Sequence, residues 1–298
     1  MLRARRSPGA DKPSFTLDRM QTGKASKTAL RVAIRRAAHQ LVDHPRILED
    51  SIAVRLLGTG LERDMERAMH KVARDFRAFM AARSRYVEDR LADAVVRGVA
   101  QYVVLGAGLD TFAYRNPFPA LHVFEVDFPA TQEWKREMLA AAAIALPNNL
   151  TFVPLDFEHK TLAQGLVEQG FDTGKSAFFG WLGVVPYLTL GAFQSTLAAI
   201  AQLPAGTAVS FDYALAPETL SSVGRTAFDA LAGRVAAAGE PFKLFFTPDT
   251  LQAELVRVGF HLFEQLDSDH LNQLYFNNRA DGLKLSAVKL GMLVTAWV

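Results

Sequence analysis

The sequence predicts an α/β fold: a mostly parallel sheet covered by helices on both faces, preceded by about a hundred helical residues. Three observations carry this. Between residues 26 and 97 the apolar positions recur at helical spacing. From Gln101 onward, short apolar runs alternate with amphipathic segments, the pattern of a wound parallel sheet. The first of these runs, Gln101–Leu105, passes directly into Gly106-Ala107-Gly108, a turn suited to a strand-to-helix crossover.

The elements follow in order. Residues 1–24 are irregular and basic. From Ser26 to Val42, the apolar positions Leu30, Ala33, Ile34, Ala37, Ala38 and Leu41 define one face of a helix that ends before Pro45. Arg46–Leu57 reads as a second helix, stopped by Gly58. Residues 62–97 read as helical with a break near Ser84. Strands are expected at Gln101–Leu105, His122–Val126, Thr151–Leu155, Ala177–Leu182, Thr207–Phe211, Phe260–Leu266 and Ser286–Val298. Helices are expected at Pro129–Leu146, Lys160–Gln169, Leu190–Leu203, residues 217–238 and Pro248 to Gly259. Thr247 caps the last of these and Pro248 occupies its first position. The domain reading is an irregular arm (1–24), a helical cap (25–98) and an α/β ligand-binding domain (99–298).

Composition narrows the function classes. The chain has 298 residues, 50% hydrophobic and 21% charged, an ordinary globular balance. Cysteine is absent, which removes disulfides, thiolate zinc sites and a cysteine nucleophile. No signal-peptide pattern follows the basic start, so a cytoplasmic location is expected. Residues 1–36 carry ten Lys/Arg against two Asp, a net of +8 within an overall +2. Such an arm suits a solvated tail or an anionic partner such as RNA. Residues 176–211 carry no charge, but Gly180, Gly183, Pro186, Gly191, Pro204 and Gly206 cut the run into pieces too short to span a bilayer. No Gly-x-Ser-x-Gly elbow and no His-x-x-x-His pair is present. Gly170 to Ser176 lacks phosphate-loop spacing and follows a helix rather than a strand. No metal site is expected.

In a wound parallel sheet, ligands bind at the carboxyl ends of the strands. Three successive strand ends here carry suitable groups. Gly106 and Gly108 let a ligand approach the backbone. Glu125-Val126-Asp127 ends the second strand, with Asp127 nearer the end and placed to accept from ribose hydroxyls. Pro154-Leu155-Asp156-Phe157 ends the third, with Asp156 placed to accept from an adenine amino group. Together they point to a nucleoside-type ligand. Thr111 stands where a dinucleotide fingerprint has its third glycine.

The segment Tyr102-Val-Val-Leu-Gly-Ala-Gly-Leu-Asp-Thr-Phe-Ala-Tyr-Arg115, with Phe124-Glu-Val-Asp127 and Val153-Pro-Leu-Asp156, resembles the leucine carboxyl methyltransferase family. The closer likeness is to its bacterial branch of S-adenosylmethionine-dependent O-methyltransferases. Ala81-Ala-Arg-Ser-Arg-Tyr-Val-Glu-Asp-Arg90 matches that family's arginine motif, and Ser26–Arg31 resembles its first motif. The likeness covers roughly residues 25–298. It implies a class I methyltransferase (Rossmann-like) fold with a seven-stranded sheet, mostly parallel, whose last strand is antiparallel. By the same resemblance Arg83 holds the methionine carboxylate, with Arg85 its rival and Arg31 a second basic contact. Gly106 and Gly108 approach the cofactor, Asp127 meets the ribose, and Asp156 and Phe157 meet the adenine. Many relatives carry a glutamate where this chain has Leu182, and Asp110 or a backbone carbonyl is the substitute. Trp181 and Tyr187 are candidates to line the transfer site. His159, Asp212, Tyr187 and Tyr213 are the candidate bases. The acceptor implied is a small molecule bearing a hydroxyl or carboxylate. The alternative readings are a nicotinamide-dependent oxidoreductase and an RNA methyltransferase or binder using the basic arm.

Overall fold

The computed structural model of the protein describes residues 27–156, 159–237 and 239–298. The irregular arm expected at 1–24 and the candidate Phe157 lie outside these residues.

Four helices come first: α1 (Lys27–Val42), α2 (Ser51–Leu57), α3 (Glu62–Met69) and α4 (Arg74–Val96). The remainder alternates as expected: β1 (Gln101–Leu105), β2 (His122–Asp127), α5 (Pro129–Ala141), β3 (Leu150–Pro154), α6 (Leu162–Glu168), β4 (Phe178–Trp181), α7 (Leu190–Ala201) and β5 (Ala208–Ala214). Then follow α8 (Ser222–Ala237), α9 (Pro248–Val258), β6 (Leu262–Leu266), α10 (Ser268–Tyr275) and β7 (Gly291–Trp297). The seven strands run in the order β3-β2-β1-β4-β5-β7-β6. All neighbours pair in parallel except β7, which is antiparallel to both β5 and β6. This is the class I methyltransferase arrangement. Strand order reverses between β1 and β4, and that switch point is where such sheets open a crevice for ligands.

One face of the sheet buries Phe179, Phe193, Phe211 and Phe246 among α6, α7 and α9. The other buries Tyr102, Phe178 and Leu293 beneath α4 and α10. α4 lies close because it presents Ala78, Ala82 and Ala94 to the sheet, and the Tyr86 hydroxyl bonds Thr295 Oγ1 at 2.7 Å. α1, α2, α3 and α5 share a third core around Ile34, Leu56 and Leu139. The charge-free run 176–211 resolves into β4, α7 and the start of β5. No helix among the described residues is long and apolar enough to cross a membrane.

Several boundaries differ from the sequence reading, each for a local reason. The second helix starts at Ser51, not Arg46, because Asp50 caps it by accepting from the Ala53 amide at 3.0 Å. The break expected near Ser84 falls instead at His70–Ala73, where His70 turns extended; Ser84 sits buried within α4. α5 ends at Ala141, since Ala143 adopts φ of 51°. The last strand begins at Gly291 rather than Ser286. α10 was not anticipated. Its signal is Asp267, which accepts from the amides of Asp269 and His270.

Beneath α1, Asp43 accepts from Arg77 Nε (2.7 Å) and Nη2 (2.8 Å) and pairs with His39 Nδ1 (2.9 Å). Burial works to raise the Asp43 pKa, but the bonds from Arg77 and His39 outweigh it and hold it at about 2, against an ordinary 3.8. Asp110 is likewise held at about 2. In the acid range the unfolded chain therefore binds more protons than the native one, so stability falls as pH drops. Urea midpoints are expected to fall from pH 5 to pH 3 and further toward pH 2. Equal midpoints at pH 5 and pH 2.5 would contradict these assignments.

Candidate active site

A cavity of about 440 Å³ opens over the carboxyl ends of β1, β2 and β4. It is within the ~300–1,000 Å³ typical of small-ligand sites. α1 closes it from one side through Thr28, Ala29 and Val32, and the segment 239–243 closes it from another. Thr28 Oγ1 donates to Glu240, joining these two covers.

The floor is the glycine turn. Gly106 has φ of +65°, and a Cβ there would run into the Val184 side chain. A side chain is therefore opposed twice, by conformation and by space. Asp127 fixes the turn from β2: it accepts from the Gly108 amide at 2.6 Å and from the Phe128 amide at 2.7 Å. Burial raises the Asp127 pKa, and these two amides oppose the shift.

A buried charge network holds the turn to the helical layer. Arg36 of α1 donates to Asp110 (2.7 Å), to Asp50 (2.6 Å) and to Thr111 Oγ1 (2.8 Å), and Thr111 donates to Asp50 at 2.7 Å. Arg115 pairs with Glu88 of α4. Thr111, at the third-glycine position, thus serves as a hydroxyl in this network. Burial works to raise the Asp110 pKa, but Arg36, Lys135 and Arg115 outweigh it. Both Asp110 oxygens are engaged, one by Arg36 and one by the Phe112 amide at 2.8 Å. Arg36 and Asp50 were missed in the sequence, because nothing local marks an arginine on a helix as the partner of an aspartate 74 residues away.

The opposite wall is built by α4 and the turn after β4. Arg83 is 6% exposed. Its Nη1 donates to Asp212 Oδ2 at 2.8 Å, and the Gly183 amide donates to the other Asp212 oxygen at 2.5 Å. Arg83 Nε is buried with no hydrogen-bond partner among the described residues. Arg85, the rival, does not line the cavity; it pairs with Asp89 at 2.7 Å on the outer side of α4. Arg31 is exposed and also outside the lining.

Five predicted residues therefore meet in one cavity: Arg83, Gly106, Gly108, Asp110 and Asp127. Asp156 follows β3 outside the lining and pairs with His159 at 3.2 Å. Among the candidate bases and lining aromatics, only Tyr187 faces the cavity. His159 is 77% exposed, Tyr213 donates to Gln265 at 2.6 Å, and Trp181 stacks on Phe193 in the core. Leu182 lines the cavity as an apolar residue. No group of three or more His, Asp or Glu among the described residues could hold a metal ion.

These features fit S-adenosylmethionine. A backbone cradle admits close approach, an acid ends β2, and a buried arginine lines the cavity. Comparisons with known proteins agree. The family model described as leucine carboxyl methyltransferase matches residues 29–201. A Bacillus subtilis protein named "Putative S-adenosyl-L-methionine-dependent methyltransferase YktD" is 34% identical over 293 residues, covering 89% of this chain and 95% of that one. A Mycobacteroides abscessus protein of the same description is 35% identical over 177 residues, 57% of each chain. Two solved structures share the fold. A methyltransferase-like protein from Thermobifida fusca has TM-score 0.54 and 18% identity, covering 89% of this chain and 94% of that one. A DUF574 family protein from Streptomyces avermitilis has TM-score 0.53 and 15% identity, covering 92% and 98%. The cofactor is S-adenosylmethionine, which replaces the nicotinamide alternative. The chain belongs to the leucine carboxyl methyltransferase family and is an S-adenosylmethionine-dependent methyltransferase.

Proposed function

We propose that the protein methylates an oxygen of a small molecule that is already ionised at neutral pH, such as a carboxylate or an acidic phenol. The observation that carries this is the cavity lining, which among the described residues offers no free general base; its Glu240 accepts from Thr28. Tyr187 faces the cavity, but burial raises its pKa, so the phenol keeps its proton. Asp110 and Asp127 have both oxygens in hydrogen bonds. Asp212 is bound by Arg83 and Gly183. Lys243, at the mouth, supplies a cation that attracts an anionic acceptor. A cover joined through Thr28 and Glu240 suits a small molecule better than a polymer.

The bound cofactor supplies an electrophilic methyl group. The chain's own work is to bind, orient and exclude water. Arg83 receives the carboxylate, the Gly106 turn lets the backbone come close, and Asp127 accepts from the ribose. Asp156 and Phe157 remain the assignment for the adenine. With donor and acceptor held in line at roughly 3–3.5 Å, proximity supplies most of the acceleration. An acceptor already carrying its negative charge needs no proton removed.

The test is a methyl-transfer assay over carboxylic acids, phenols of graded acidity, aliphatic alcohols and amines. Products are expected from the carboxylic acids and acidic phenols, with a rate that levels off above the acceptor's own pKa. Methylation of alcohols or amines alone would overturn the proposal.

A further inference from the structure

We propose that Asp212 is a positioning residue, fixing the Arg83 guanidinium and the Gly183 turn in one arrangement so that the cofactor's carboxylate meets an oriented cation. The inference rests on the reading that Arg83 receives that carboxylate.

Asp212 lies near the end of β5, across the switch point from the glycine turn. It does not itself line the cavity, whereas Arg83 and Gly183 do. One of its oxygens accepts from Arg83 Nη1 and the other from the Gly183 amide. The carboxylate thus ties a helix of the N-terminal layer to the turn after β4. The fit is close: a Cβ on Gly183, whose φ is +71°, would stand 3.0 Å from Arg83 Nη2 and 3.1 Å from Nη1. The Nη1–Nη2 edge of the guanidinium therefore lies against Gly183, where both the positive φ and the space favour glycine.

The remaining donors explain the purpose. Arg83 has five N–H donors, and Asp212 engages Nη1 only. Nε is buried and unpartnered among the described residues. A structural ion pair at this depth would be expected to satisfy the fork more fully, since unmet buried donors are costly. Arg83 lines the cavity, and an arginine anchored at one corner keeps further N–H groups to take a second carboxylate. Leu182, next to Gly183 on the same wall, brings no charge. The acid that keeps this cation in place thus comes from β5. An asparagine at 212 keeps the bond to the Gly183 amide but removes the charge that orients Arg83.

The experiment titrates the native chain, Asp212→Asn, Arg83→Ala and the double variant with two probes. S-adenosylhomocysteine carries the amino-acid group, and 5′-methylthioadenosine lacks it. Asp212→Asn is expected to lower the affinity for S-adenosylhomocysteine about tenfold or more while moving that for methylthioadenosine less than about twofold. In the Arg83→Ala background, Asp212→Asn is expected to add no further loss. Equal losses on both probes, no loss on either, or an Asp212→Asn chain without a cooperative melt would each mark the residue as structural and overturn the proposal. An Arg83→Ala chain that does not distinguish the probes overturns the underlying reading of Arg83, whatever Asp212→Asn does.

Discussion

Replacing Arg83 with alanine is expected to weaken S-adenosylhomocysteine binding by roughly 10–150-fold, the loss of one charge-assisted contact of about 1.5–3 kcal/mol. The change removes a guanidinium that is buried, held by Asp212 and turned toward the cavity. It also leaves Asp212 with only the Gly183 amide, so the melting temperature should fall as well. Arg85→Ala, in the same helix but outside the cavity, serves as the comparison and is expected to leave affinity within about twofold, since exposed pairs of its kind contribute little. Calorimetric titration of both variants checks the assignment. Equal effects at the two positions would contradict it.

The largest effect on stability is expected at Lys135. Its ammonium lies 2.6 Å from Glu125 Oε2, and both side chains are 1% exposed. Burial pushes the Glu125 pKa up to about 7, and Lys135 opposes the shift. The other Glu125 oxygen is buried without a partner among the described residues, so the carboxylate depends on this one cation. Lys135→Met removes its charged partner and is expected to cost up to about 3–5 kcal/mol, the lower the pH the less, because Glu125 then takes up a proton. Glu125→Leu combined with Lys135→Met removes both charges and should recover most of the loss, because a buried pair has little net value against an apolar replacement. Urea denaturation of the single and double variants measures this. A single variant within about 1 kcal/mol of the native chain would contradict the account. The effect bears on function, since Lys135 also acts on Asp110 and Asp127 beneath the cavity floor.

The parts legible in the sequence are those where one short stretch carries its own reason. Val103, Val104 and Leu105 run straight into Gly106, so β1 and the turn that follows it could be read together. Thr247-Pro248 announced α9 because cap and first-turn proline are adjacent, and the structure shows Thr247 accepting from the Thr250 amide at 3.1 Å. Interactions between distant segments left no such mark. His39, Asp43 and Arg77 order the loop ahead of α2, and the break at His70 has no glycine or proline to signal it. Asp212 was visible only as a possible base. Its pairing with Arg83, 129 residues away, turns it into an anchor, and that pairing exists only once β5 and α4 meet. Arg36 follows the same logic: on the sequence it belongs to a basic stretch, and in the fold it is a buried tie between α1 and the glycine turn. The four helices preceding β1 were read as a separate cap, although α4 also covers the sheet and shares a core with β1 and β4.

The central claim is that the cavity between the glycine turn and Arg83 holds the cofactor, and the most direct measurement is a crystal structure of the complex with S-adenosylhomocysteine. The account predicts density against Gly106, with the ribose within hydrogen-bond reach of Asp127 and the carboxylate within about 3.2 Å of the Arg83 guanidinium. Density outside this cavity, or inside it with the carboxylate turned away from Arg83, would contradict the account.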